Sequence, residues 1–159
     1  MVEYYRGKVQ PTWVDHNRHM NLAYYVLAFD LATDAFFQSF GVDQNYRNST
    51  NRSTFAGNIH VYYKRELQLD DEFKVHCSLL GFDNKRIRHM NQMFRTKDGI
   101  EVAILESLQL HVDLNDRRVC DMPVSLVARL EKLQSEQGLF EIPKEIGQAI
   151  TKPPIYNAS

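Results

Sequence analysis

The stretch Leu22-Ala23-Tyr24-Tyr25-Val26-Leu27-Ala28-Phe29-Asp30-Leu31-Ala32-Thr33-Asp34-Ala35-Phe36-Phe37-Gln38-Ser39-Phe40 decides the fold. Its polar members Asp30, Thr33, Asp34 and Gln38 recur at helical spacing on one narrow stripe, and apart from Ser39 near its end everything else is apolar or aromatic. Such a helix is expected to be surrounded on most sides rather than laid on a surface. Gly41 follows where a helix terminator belongs.

What surrounds it is read from the flanks. Tyr4 to Val9 has the character of a short strand, after which Pro11 and a polar run to Asn21 break all periodicity. Residues 42–54 are polar and rich in Asn and Ser, which suits an exposed connection. The period then changes to two. Ile59, Val61, Tyr63, Leu67 and Leu69 alternate with polar neighbours, and Phe73, Val75, Cys77 and Leu79 repeat the pattern after Asp70-Asp71. Turns at Asp83-Asn84-Lys85 and Lys97-Asp98-Gly99 lead into strands over Ile87 to Arg95 and Ile100 to Val112. Pro123 stands at the first-turn position of a second helix that ends near Gly138. The order predicts a single α+β domain over residues 1–159, an antiparallel sheet wrapped around the central apolar helix with a C-terminal helix behind it. The tail from about residue 143 is expected to be extended or peripheral.

Composition narrows the partners. Lys plus Arg number 19 against 20 Asp plus Glu, so no global field favours nucleic acid or an anionic membrane, and any phosphate must meet a local cluster. No apolar stretch is long enough to cross a bilayer, and the opening Met-Val-Glu-Tyr-Tyr-Arg lacks a signal-peptide core, so the expected location is cytoplasmic. Cys77 and Cys120 form neither a zinc pattern nor a disulfide framework. No metal and no cofactor are expected.

The chemistry concentrates at the mouth of the helix. Asp15, His16, Asn17, Arg18, His19 and Asn21 place six polar or ionisable groups immediately before a buried helix. Asn21 suits an N-cap, and free N–H groups between Met20 and Tyr24 would face whatever occupies the mouth, where a carbonyl acquiring negative charge is favoured. The same residues would also suit a loop that does no more than cap.

The stretch Asp15-His16-Asn17-Arg18-His19-Met20-Asn21, in this order of strand, polar loop, apolar helix and four-stranded meander, resembles the hot-dog fold thioesterases. It is similar to the Asp-x-Asn-x-His-x-Asn motif of acyl-carrier-protein thioesterases and to the shorter Asp-containing loop of 4-hydroxybenzoyl-CoA thioesterases. The resemblance extends over about the first 120 residues and into the Pro123 helix. Short matches at Trp13-Val14-Asp15, Ala23-Tyr24-Tyr25, Ala32-Thr33-Asp34, Leu80-Gly81-Phe82-Asp83-Asn84-Lys85-Arg86 and Leu110-His111-Val112-Asp113-Leu114 bring it nearest the betainyl-CoA thioesterase subgroup, which acts in carnitine breakdown. Arg18 departs from the pattern, because Gly is frequent at that place.

The resemblance implies hydrolysis of an acyl-CoA thioester, with coenzyme A part of the substrate, and places Asp15, Asn17 and His19 at the thioester carbonyl. Glu66, in Tyr63-Lys64-Arg65-Glu66-Leu67, resembles a strand Glu proposed to act with them; alternation alone would leave it a solvated strand residue. Glu106 interrupts the series Ile100, Val102, Ile104, Leu108, Leu110, Val112, so a regular strand carries it toward the helix, where it would support the site, unless a bulge turns it outward. Lys85, Arg86 and Arg88, with Arg117-Arg118, offer charge for the CoA phosphates or are solvated turns. Trp13, Asn21, Tyr24 and Tyr25 are the candidates to contact the acyl group, the rings of Trp13, Tyr24, Tyr25 and Tyr62 holding a quaternary ammonium by cation–π attraction, unless these aromatics are simply core.

Hot-dog domains typically pair, so a homodimer or dimer of dimers is expected, with Asp15 of one chain and Glu66 of the other as one possible set. The competing readings are a thioesterase for another short, branched or aromatic acyl group, an acyl-carrier-protein substrate, a non-catalytic acyl-binding domain, and a hydratase, whose motif is not present.

Overall fold

The computed structural model describes residues 2–148. The elements are β1 (Val2–Lys8), a 3-10 turn (Pro11–Trp13), α1 (Leu22–Ser39), α2 (Gln44–Thr50), β2 (Arg52–Tyr63), β3 (Glu72–Phe82), β4 (Arg86–Arg95), β5 (Glu101–Asp113), β6 (Arg118–Val119) and α3 (Val124–Gln137). One antiparallel sheet runs β1-β3-β4-β5-β2, with β6 added to the end of β5. It curls around α1, whose Ala28, Phe29, Ala32 and Phe36 are fully or nearly fully buried. This is the hot-dog arrangement read from the sequence, and the C-terminal helix is present with Leu126 and Leu130 in the core.

The helix is held by polar as well as apolar contacts. Ala28 and Ala32 let the backbone approach the sheet. The Asn91 amide of β4 donates to the Phe29 carbonyl at 2.9 Å and to Thr33 Oγ1 at 2.8 Å. His89 Nδ1 lies 3.0 Å from Asn91 Oδ1. Its ring rests among Phe36 and Phe37, with Nε2 left without a partner among the described residues. Burial pushes its pKa down to about 4, so the imidazole is neutral.

Four expectations change. Residues 42–54 hold α2 instead of an open connection: Asp43 accepts from Tyr46 N–H at 2.8 Å as N-cap, and buried Tyr46 anchors to His111 Nε2 at 2.7 Å. The next strand therefore begins at Arg52 and stops at Tyr63, because the Lys64 and Arg65 N–H groups both turn onto the Val102 carbonyl. Residues 64–71 form a loop, with Leu67 buried from the loop and Leu69 exposed.

The face of β5 is also inverted. Ala103, Leu105, Ser107, Gln109 and His111 pair with the helix-facing Met93, Asn91, His89 and Ile87 of β4 and with Thr54 of β2. The apolar series Ile104, Leu108 and Leu110 looks to the outer face. Polarity misleads here because the inner face carries the hydrogen-bonded His89–Asn91 set. Finally, α1 is not enclosed all round: Leu22 is 62 % exposed beside the edge strand β2, where Ile59 is 44 % exposed and Tyr63 48 %.

Before the described residues end, residues 141–148 cross the outer face. Glu145 binds Lys64 Nζ at 2.9 Å, Gly147 N–H donates to Glu106 at 2.7 Å, and Tyr62 O–H donates to the Gln148 carbonyl at 3.3 Å. The tail is peripheral to that point, and its part after residue 148 lies outside the described residues.

Candidate active site

The loop between the 3-10 turn and α1 folds on itself. Asp15 N–H donates to the His19 carbonyl at 3.1 Å and Arg18 N–H to the Asp15 carbonyl at 2.9 Å, while Val14 and Met20 form an isolated bridge. Closing so tight a turn puts Arg18 at φ 65°, the left-handed region that glycine enters freely. That is the backbone reason for Gly being frequent at this place. Asp15 stitches the loop: Oδ1 accepts the Asn17 N–H at 2.8 Å and Oδ2 the Asn21 amide at 3.2 Å. These two donors, the Asn17 N–H first, hold its carboxyl below the usual carboxylate range.

Asn21 also caps α1, accepting from Ala23 N–H at 3.0 Å. The other donors at the mouth are mostly spent. Met20 N–H goes to the Leu67 carbonyl at 2.7 Å, Asn21 N–H to the Trp13 carbonyl, and Tyr24 N–H to the Asn21 carbonyl. Among the described residues, Leu22 N–H is the donor of this run without an acceptor.

A cavity of about 270 Å³ opens at this point, lined by His19, Met20, Leu22, Tyr25, Tyr63, Lys64, Arg65 and Glu66. His19 Nδ1 lies 3.1 Å from the Met20 carbonyl, which requires the proton on Nδ1 and leaves Nε2 as the free acceptor of the neutral ring. Glu66 comes from the loop after β2, not from a strand face. Its loop is fixed by Tyr25, whose hydroxyl accepts from Leu67 N–H at 2.9 Å and donates to the Arg65 carbonyl at 3.5 Å. Burial raises the Tyr25 phenol to about 12. The rings of Tyr25 and Tyr63 meet edge to face, 5.4 Å between centroids.

The structure thus brings His19 and Glu66 of one chain to one cavity, with Asp15 and Asn21 bracing it from behind. Asn17 contributes its backbone N–H to Asp15 and has an exposed side chain. Trp13 and Tyr24 stack on each other at 5.2 Å and do not line the cavity; Tyr62 stacks on His60 at 4.2 Å on the outer face. Glu106 also faces outward, paired with Arg88 at 2.6 Å through Nε, so it does not reach α1. Arg86 pairs with Asp83 and Lys85 with Asp121. That basic cluster sits beside Leu110 on β5, about 25 Å along the strand from Val102 at the cavity end. Tyr63 and Leu22 were not among the residues singled out from sequence. The end of β2 and the first turn of α1 become visible only once β2 is seen to stop at Tyr63.

Comparison with known proteins agrees with this fold. Residues 9–130 match the family described as the thioesterase-like superfamily. The chain is 31 % identical over 151 residues to the betainyl-CoA thioesterase of Pseudomonas aeruginosa, covering 95 % of each. It is 32 % identical to the L-carnitine dehydrogenase/betainyl-CoA thioesterase of Agrobacterium fabrum over 84 % of this chain, and spans 27 % of that longer protein. A proposed thioesterase from Pseudomonas putida KT2440 superposes with a TM-score of 0.82 at 35 % identity, over 96 % of this chain and 97 % of the other. A Staphylococcus aureus hypothetical protein in complex with CoA shares the fold with a TM-score of 0.88 at 24 % identity, over 96 % of each chain.

Proposed function

The chain belongs to the thioesterase-like superfamily and hydrolyses acyl-CoA thioesters, and from that premise we propose that its acyl group is betainyl, released as glycine betaine with free CoA in carnitine breakdown. The observation that carries the chemistry is the meeting of His19 and Glu66 in one cavity at the mouth of α1, whose wall includes Leu22, a residue with no acceptor for its N–H among the described residues.

Thioester hydrolysis needs an activated water or a nucleophile, a donor for the developing oxyanion, and little help for the thiolate leaving group. Leu22 N–H, at the positive end of α1, takes the carbonyl oxygen. Glu66 activates water or attacks directly, and His19 Nε2 holds the water. Asp15, with both oxygens engaged, fixes the loop and lends it negative charge beside His19. Asn17 serves that loop.

For the acyl group, Tyr25 and Tyr63 present rings and Glu66 a carboxylate, a combination suited to a quaternary ammonium. Both relatives named for betainyl-CoA support this substrate. The reaction needs no cofactor in this account, and among the described residues no helix is long and apolar enough to cross a membrane. We place the protein in the cytoplasm, where its CoA substrate is.

The protein acts as a homodimer or dimer of dimers. The long strand β2 is an unpaired edge among the described residues, its Tyr63 hydroxyl reaches the Leu22 carbonyl of α1 at 3.3 Å, and Ile59 and Tyr63 of β2 and Leu22, Leu27 and Leu31 of α1 are exposed, apolar surface that a second copy covers. His19 and Glu66 of one chain already share a cavity, so pairing closes the site rather than supplying Glu66.

The test is thiol release from betainyl-CoA and from 3,3-dimethylbutyryl-CoA, its neutral isostere, beside straight-chain and aromatic acyl-CoAs. Preference for betainyl-CoA supports the substrate. Faster turnover of the isostere removes it, and no thiol release from any member removes the enzyme reading in favour of an acyl-binding domain.

A further inference from the structure

The phosphates of CoA need cations, and the chain has no general positive field to offer them. Several of its basic side chains are already neutralised. Arg86 and Arg88 pair with Asp83 and Glu106, and Lys64, though it lines the cavity, is clamped between Glu101 at 2.6 Å and Glu145 at 2.9 Å. Two arginines at the cavity differ. Among the described residues, neither Arg18 nor Arg65 has a carboxylate within ion-pair distance, and both side chains are exposed.

Arg65 lines the cavity and is oriented there by one bond, Nη1 donating to the Lys64 carbonyl at 2.8 Å, which leaves its remaining donors open. Arg18 occupies a left-handed position, φ 65°, that penalises every residue except glycine, Asn and Asp. Arginine there brings the backbone no advantage over glycine, and its guanidinium is exposed. The two loops are joined by the Met20 N–H to Leu67 carbonyl bond at 2.7 Å; Arg65 lines the cavity and Arg18 directly precedes His19, which lines it too.

We propose that Arg18 and Arg65 form the phosphate-binding rim of this site, receiving the pyrophosphate of CoA while its pantetheine arm enters the cavity. The proposal rests on the acyl-CoA reading, but its test does not require turnover. CoA binding is titrated calorimetrically to the full chain and to Arg18→Gly, Arg65→Gln and the double variant, at low and near-physiological ionic strength, with Arg86→Gln as comparison.

Each single variant is expected to weaken CoA roughly three- to tenfold, and the double variant to flatten the salt dependence, as charge-assisted contacts do. Arg86→Gln should leave both unchanged. A loop merely displaced by the substitutions would lower affinity while keeping the salt slope, and that result overturns the proposal. So does a double variant that binds like the parent, or a larger effect at Arg86. Arg18→Gly relieves the left-handed strain and should melt no lower than the parent, which separates lost binding from lost folding. Arginine-dependent CoA binding without thiol release from any acyl-CoA would sink the hydrolase reading and leave this inference standing.

Discussion

Two polar clusters lean on the same helix and have opposite fates. At the mouth of α1, His19 and Glu66 line an opening braced by Asp15 and Asn21, and among the described residues the Leu22 N–H has no acceptor. Halfway along, Asn91 joins His89, Thr33 and the Phe29 carbonyl in one buried set, and the imidazole is neutral with only its Nε2 left without a partner among the described residues. Unspent donors beside a cavity mark the place where chemistry can happen. Donors spent on the backbone of a buried helix mark what fixes the helix. Residue type alone would not separate them, since both contain His and Asn.

Breaking the first cluster should affect rate and spare stability. Glu66→Gln is expected to lower kcat by about 10²–10⁴-fold with an unchanged melting temperature, because the side chain is exposed and braces nothing but Gln68. Stopped assays of thiol release with parallel thermal melts check this. If Asp15→Asn instead gives the larger loss with no melting change, Asp15 is the reacting carboxylate and Glu66 the support.

Breaking the second cluster should do the reverse. Asn91→Ala strips partners from the Phe29 carbonyl and from His89, and denaturant unfolding should show a loss of about 2–4 kcal/mol. The kcat of the remaining folded protein should stay within a few-fold of the parent. A collapse of kcat in molecules that melt normally would erase the distinction between the clusters.

The same set predicts an acid limb. His89 has a folded pKa of about 4 against 6.5 for the free side chain, so the unfolded state binds the extra proton. Its contribution is complete above pH 6.5 and is lost as pH falls toward 4, up to about 3 kcal/mol in all. Unfolding measured across that window should show the slope, and His89→Gln should flatten it.

The smallest expected effect refines the first cluster. Tyr63→Leu should reduce the preference for betainyl-CoA over its neutral isostere by about three- to thirtyfold, the range of a cation–π contact. An unchanged ratio would move ammonium recognition away from the Tyr25–Tyr63 pair.

Much of this was legible before any coordinates. The apolar run with its cap at Asn21 announces the central helix, and the density of polar groups just before it marks the candidate site. The hidden parts share a cause: they depend on tertiary bonds that override local pattern. Glu66 looked like a strand residue because nothing local shows that the Val102 carbonyl stops β2 at Tyr63. Glu106 looked inward because the inner face is polar, and only the Asn91 bonds explain how that face is buried. The pairing that occupies Lys85, Arg86 and Arg88 likewise links residues whose side-chain choices sequence leaves open.

The vacant Leu22 N–H has one more consequence. The first N–H groups of a helix have no partner inside it and ordinarily go to a cap or to water, whereas in the proposed site one acceptor would be delivered by the ligand. A thioester carbonyl seated on that donor finishes α1, so occupancy and local order become one linked equilibrium. In hydrogen–deuterium exchange the first turn of α1 should be the segment most slowed by a non-hydrolysable acyl-CoA analogue, and the enzyme would read the arrival of its substrate as the closing of its own helix.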